Sequence, residues 1–127
     1  MHKPYELIFK HPCDFRVKYR LYDKSEGGIN SLPFQGIRLD FWYDHPDHEI
    51  KGGFIIWPEF EDENGNIILD SQVLPQGFAR MWIINEDLRP YHQKRIKPGI
   101  KGYFLEGHKI GECEVIEIIG LMTNPIN

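Results

Sequence analysis

EGGINSLPFQGIRLDFWY, from Glu26 to Tyr43, is the stretch whose reading decides the fold. Its first half is a loop punctuated by Gly27, Gly28, Gly36 and Pro33. Glycine serves there as the residue that reaches positive φ or lets two backbones approach closely. From Ile37 the chain alternates, with Ile37, Leu39, Phe41 and Tyr43 on one side and Arg38, Asp40 and Trp42 on the other. A period of two predicts a strand with one buried face.

The same alternation precedes the loop. Phe15, Val17, Tyr19 and Leu21 point one way, and Arg16, Lys18 and Arg20 the other. That is the cleanest strand in the sequence. Tyr5, Leu7 and Phe9 suggest a lead-in strand or arm over residues 1–9, ended by His11-Pro12. Phe54-Ile55-Ile56-Trp57 reads as a strand buried on both faces and stopped by Pro58. Asn64-Gly65 is a turn signal inside an acidic segment, Glu59 to Gly65, with Ile67 to Leu69 as its returning strand. Phe78 to Ile84 is a further strand, Asn85 to Gln93 a connection, and Lys97-Pro98-Gly99 a turn. Residues 121–127 read as a frayed tail. No helical period survives the Pro and Gly punctuation. Many short strands between such turns favour an all-β barrel or sandwich.

Taken together, order and spacing give a resemblance. Glu26-Gly27-Gly28, seven residues, then Gly36-Ile37-Arg38-Leu39-Asp40-Phe41 resembles the third, C-terminal β-barrel domain of elongation factor Tu. The closing segment is also similar to that family, with Pro98-Gly99, Glu106-Gly107, Ile110-Gly111 and Val115 in matching places. The resemblance spans about Lys10 to Gly120 and implies one closed antiparallel barrel of Greek-key type over residues 1–127. Closure would remove exposed strand edges. In that family the barrel touches the T-stem backbone of tRNA. The carried-over positions are changed here. Ile29 replaces a basic residue, Asn30-Ser31 replaces His-Thr, Asp40 replaces Gln, and Leu105 replaces Arg. Arg38 is kept, and Lys109 stands near a later Arg of the family. The glycines of the scaffold persist while phosphate-facing groups are largely lost. Fold similarity does not transmit function.

Bulk composition agrees with a changed surface. The chain has 127 residues, 41% hydrophobic and 13% aromatic, with a net charge of -4. Nucleic-acid binders draw most of their affinity from neutralising phosphates, so this balance disfavours RNA. No GxxxxGK[ST] or GxGxxG motif is present and the family's nucleotide-binding domain is absent, so GTP is not expected as a ligand, nor is any other cofactor. Cys13 and Cys113 form no CxxC pair, and a disulfide between them requires the first and last strands to be neighbours. No apolar run suits a signal peptide or membrane span, so a cytoplasmic location is expected.

Three functions follow as expectations. The first is a non-enzymatic module that binds another protein through Arg38, Asp40 and Trp42, with the loop Asp44 to Glu49 or the acidic segment beside it. The second is a translation-linked tRNA or RNA binder using Arg38, Lys101 and Lys109. The third is a metal-dependent enzyme using His45 and His48 in Asp44-His45-Pro46-Asp47-His48-Glu49, against which stands a plain reading of those residues as a solvated turn.

Overall fold

A computed structural model describes residues 1–125. In chain order the elements are α1 (Tyr5–Phe9), β1 (Phe15–Leu21), β2 (Asp40–Tyr43), β3 (Ile56–Phe60), β4 (Gln76–Ile83), α2 (Arg89–Gln93), β5 (Lys101–Leu105) and β6 (Lys109–Ile118), with single 3-10 turns at Lys24–Glu26 and Glu86–Leu88. The six strands form one antiparallel sheet in the order β2-β5-β6-β1-β4-β3. The first strand in the sequence is therefore central.

The sheet curls into a half-barrel around its inner face. The alternation of β1 is borne out, with Phe15 and Val17 fully buried while Lys18 and Arg20 face water. Ala79 and Met81 of β4, Val115 of β6, Phe104 of β5, Phe41 of β2 and Phe60 of β3 meet them inside. Tyr19 packs edge-on against Phe60 with ring centres 4.9 Å apart. Each such aromatic or aliphatic side chain contributes about 1.5–3 kcal/mol by leaving water. The hairpin β5–β6 closes through a turn at Gly107, whose φ of 75° is the left-handed value a glycine tolerates.

The expected closure is not reached. The edge strands β2 and β3 do not pair; β2 reaches only the segment just before β3, at one bridge where Phe41 and Phe54 exchange N–H···O bonds of 3.0 and 2.8 Å. Beyond it, β3 protects its own edge. Pro58 has no N–H to offer, and the Gln35 side chain takes the place of a neighbouring strand. Its Oε1 accepts from Phe60 N–H at 2.9 Å and its Nε2 donates to Phe60 O at 2.6 Å. The two edges are thus blunted rather than joined.

Several expected boundaries shift. Residues 5–9 form a helix, not a strand, because Tyr5 and Phe9, four residues apart, both lie over Trp82 while Leu7 and Ile8 face outward. Strand β2 starts at Asp40 rather than Ile37. Strand β3 runs through Pro58, and Ile55 is exposed, so the apolar run is not buried on both faces. The connection after β4 carries α2. The acidic returning strand reduces to one bridge, Glu61 to Ile67. The described part of the tail is not frayed. Leu121 and Asn124 are buried, and Asn124 Nδ2 donates to Pro12 O and Asp14 Oδ1, both at 2.8 Å. Residues 126–127 of that expectation lie outside the described residues.

Candidate functional site

The outer face of the sheet divides into two halves with different chemistry. Over β3 and β4 it is apolar. Trp57 and Trp82 sit opposite each other there in register. The segment 1–13 covers them, with Tyr5, Cys13 and Trp82 forming a buried cluster of their own. The cover is pinned by the buried carboxylate of Glu59. It accepts from the backbone N–H of Tyr5 at 2.9 Å and from Trp82 Nε1 at 3.2 Å, and pairs with His2 Nε2 at 2.6 Å. Glu61, also buried, is held between Arg16 and Arg80. The acidic stretch that reads as a charged surface is thereby half internal, because each buried carboxylate has donors waiting.

Over β5, β6 and β1 the outer face is bare, with Lys18, Arg20, Lys101 and Lys109 exposed, while over β2 the loop after Tyr43 covers Trp42. Register places Trp42 beside Tyr103, Tyr103 beside Glu112, and Glu112 beside Arg20. Lys109 Nζ stands 3.8 Å from the centre of the Tyr103 ring, and the Tyr103 hydroxyl donates to Asp44 Oδ2 at 3.2 Å. Arg20 bridges Glu26 and Glu112 through bonds of 2.8 Å each, and Lys101 pairs with Glu114. These ties hold the Lys101 amine above its ordinary pKa through the Glu114 hydrogen bond, and Glu114 below its own through Lys101. A shallow depression of about 700 Å³ opens among Lys18, Arg20, Lys101, Glu112 and Glu114.

The Glu-Gly-Gly turn and the closing hairpin adjoin this face. Asp23 caps the 3-10 turn in a reciprocal pair with Glu26, and Gly27 follows at φ 87°. Gly28 allows no side chain, since a Cβ there would fall 2.0 Å from Tyr22 O. His108 Nε2 meets Gly27 O at 2.9 Å, which joins turn to hairpin.

Among the expected residues, Asp40, Trp42, Lys101 and Lys109 share this outer side of the sheet by register, while Arg38 departs from them. Its guanidinium lies 4.5 Å from the Trp57 ring centre, against the covered half. Trp42 is half-buried beneath its own following loop, stacked on Phe54 at 5.5 Å and against His48 at 4.4 Å. Tyr103, Arg20, Glu112 and His108 are residues the sequence reasoning missed. Tyr103 carried a signal, since it stands two positions after Lys101 in an alternating segment.

The His45–His48 loop is organised by hydrogen bonds. His48 Nε2 lies 2.6 Å from the Tyr43 carbonyl, which only accepts, so that nitrogen carries the proton. Nδ1 then accepts from the Tyr91 hydroxyl at 2.7 Å, and Tyr91 in turn accepts from Glu49 N–H at 3.0 Å. Both His48 nitrogens are engaged, leaving no lone pair for a metal, and His45 Nδ1 accepts from Asp47 N–H at 3.0 Å. Among the described residues no three His, Cys, Asp or Glu side chains converge as a metal set. Beneath this loop His92 meets the Tyr43 hydroxyl at 2.7 Å, and burial pulls its imidazole down to about 4, helped by the nearby His48, Arg89 and Arg95. Cys13 and Cys113 are both buried and unbridged, and burial pushes the Cys13 thiol up to about 12. A thiol held so far from its thiolate is a poor nucleophile.

No protein-family model matches the chain, and no curated protein matches it. Among the described residues no helix is long and apolar enough to cross a membrane.

Proposed function

We propose that the protein is a non-enzymatic binding module, on a scaffold related to the third barrel of elongation factor Tu, that recognises another protein through the bare half of its outer face. One observation carries this reading. The cations there are already matched in register by carboxylates or seated on a ring, as in Arg20 with Glu112, Lys101 with Glu114, and Lys109 on Tyr103. A phosphate backbone would have to displace those carboxylates. A protein surface of mixed charge can instead pair with both signs, with Tyr103 as its aromatic anchor.

The test pairs capture with tRNA binding. The intact protein and a Tyr103→Ala/Lys109→Ala variant of equal stability are cross-linked in extract of the native cells, and binding to bulk tRNA is titrated in low salt. The expected result is a stoichiometric protein partner retained by the first and lost by the variant, with no tRNA bound. Salt-steep tRNA binding that disappears with Lys101 and Lys109 would overturn the reading in favour of an RNA binder.

A further inference from the structure

Segment 1–13 covers Trp57 and Trp82, and its own outward side is uncovered. Helix α1 spends Tyr5 and Phe9 on Trp82 and so turns Leu7 and Ile8 away from the sheet. Leu7 is 63% and Ile8 47% exposed, two large apolar side chains side by side where a surface helix ordinarily presents polar ones. Ile55, exposed as well, lies two residues before Trp57 on the same outer face. Cations flank this apolar group. Lys3 and Lys10 are exposed on either side of α1, and the exposed Arg38 lays its guanidinium 4.5 Å from the Trp57 ring centre. Among the described residues none of the three pairs with a carboxylate. Glu6 is the single carboxylate within residues 1–13, although the whole chain carries a net charge of -4. The arm is thus an apolar and basic end on an acidic molecule.

We propose that this arm docks the protein on an anionic lipid surface, with Leu7 and Ile8 sunk among the headgroups and Lys3, Lys10 and Arg38 paired with lipid phosphates. Charge and shape both choose lipid. An anionic bilayer attracts the basic arm and turns the acidic remainder of the molecule away. Leu7 and Ile8 stand out from the outermost layer of the fold. The depressions among Lys18 and Glu114, beside Phe34 and Leu69, and beside Ile29 and Pro75 open elsewhere. A protruding pair can enter fluid headgroups, whereas a ligand side chain is gripped in a concavity. Five residues are too few to fold as a helix on a membrane unaided. Here α1 is mounted beforehand, because Glu59 accepts from Tyr5 N–H at 2.9 Å and meets His2 Nε2 at 2.6 Å. Docking therefore has little chain left to order. The bare half of the sheet takes no part, so a protein partner there and a lipid surface here stand or fall separately.

Vesicle sedimentation in low salt tests this, with phosphatidylcholine alone and with about a quarter of it replaced by phosphatidylglycerol. The natural chain should partition onto the anionic vesicles at least about tenfold more strongly than onto the neutral ones, and salt should weaken that binding. Leu7→Gln/Ile8→Gln and Lys3→Gln/Lys10→Asn should each lose about tenfold or more of it. Both pairs lie on the outer side, and Asn accepts the left-handed backbone that Lys10 adopts, so their melting points should match the natural chain. A photoreactive side chain in place of Leu7 should label lipid in extract that retains its membranes. Absence of binding to anionic vesicles overturns the proposal, as does equal binding to neutral ones. Binding that survives either double variant overturns it too, by placing the contact elsewhere. Labelling of one protein in place of lipid overturns it in favour of a protein partner.

Discussion

Replacing Arg89 with Met should cost about 3–5 kcal/mol, the range for breaking a buried ion pair from one side. The side chain is fully buried, as is Asp14. Arg89 Nη1 donates to Asp14 Oδ1 at 2.6 Å and to Leu121 O at 3.2 Å, while Nε and Nη2 reach Glu86 at 2.6 and 3.0 Å. At an effective dielectric of about 20, charges 2.6 Å apart attract by roughly 6 kcal/mol before desolvation is charged against them. Removing the guanidinium leaves the Asp14 carboxylate in the interior with only Ile83 N–H at 2.7 Å and the Asn124 amide at 2.8 Å. Glu86 is partly exposed and can turn to water, so most of the cost falls on Asp14. Urea unfolding of Arg89→Met at neutral pH should show this loss, and its melting point should fall by roughly 12–20 °C. The Asp14→Asn/Arg89→Met double variant should recover part of it, with a coupling of about 2 kcal/mol or more. A single-variant loss under about 1 kcal/mol, or simple additivity, would refute the claim that these charges depend on each other.

Two further outcomes follow from other parts of the fold. His92 is neutral when folded, with its pKa at about 4, whereas the unfolded chain protonates it at the ordinary 6.5. Its contribution is therefore whole above pH 6.5 and is lost as pH falls toward 4, by roughly 3 kcal/mol in total. Unfolding free energies measured from neutral to mildly acidic pH should slope downward in the natural chain and less so in His92→Gln; equal slopes would remove His92 as the cause. Gln35→Leu orphans the N–H of Phe60, whose carbonyl keeps the Ile68 N–H, costs about 1–2 kcal/mol, and opens the β3 edge to self-pairing. Thioflavin-positive aggregation on mild heating, absent in the natural chain, is the expected sign, and unchanged stability with no aggregation would contradict it.

How far the sequence could be read depended on how local each cause was. Strand β1 is set by alternation among adjacent residues, and the β5–β6 hairpin by Gly107 and the flanking apolar pattern, so both were legible. Helix α1 is only five residues long, and Tyr5 and Phe9 choose it because Trp82, far along the chain, lies beneath them. Sheet closure failed for a similar reason, since Pro58 and the distant Gln35 amide settle the β3 edge. Buried Glu59 and Glu61 read as surface because charge is usually exposed, and only their partners, remote in sequence, reveal otherwise. Of the candidate site, Lys101, Lys109, Asp40 and Trp42 fell on the outer side of the sheet because strand parity is local. Arg38 did not join them, since Trp57 claims its side chain before regular pairing of β2 begins.

The central place of β1 bears on how the chain is made. It leaves the ribosome before the other five strands, yet both of its neighbours, β4 and β6, come later, and β6 is the last of the six. Its Phe-Val-Tyr-Leu side must wait uncovered while the residues up to β4 and then β6 are made. Folding of this sheet is therefore postponed until β6 has been made, and a chain stalled before β6 would carry a sticky, half-flanked strand of the kind that holding chaperones bind.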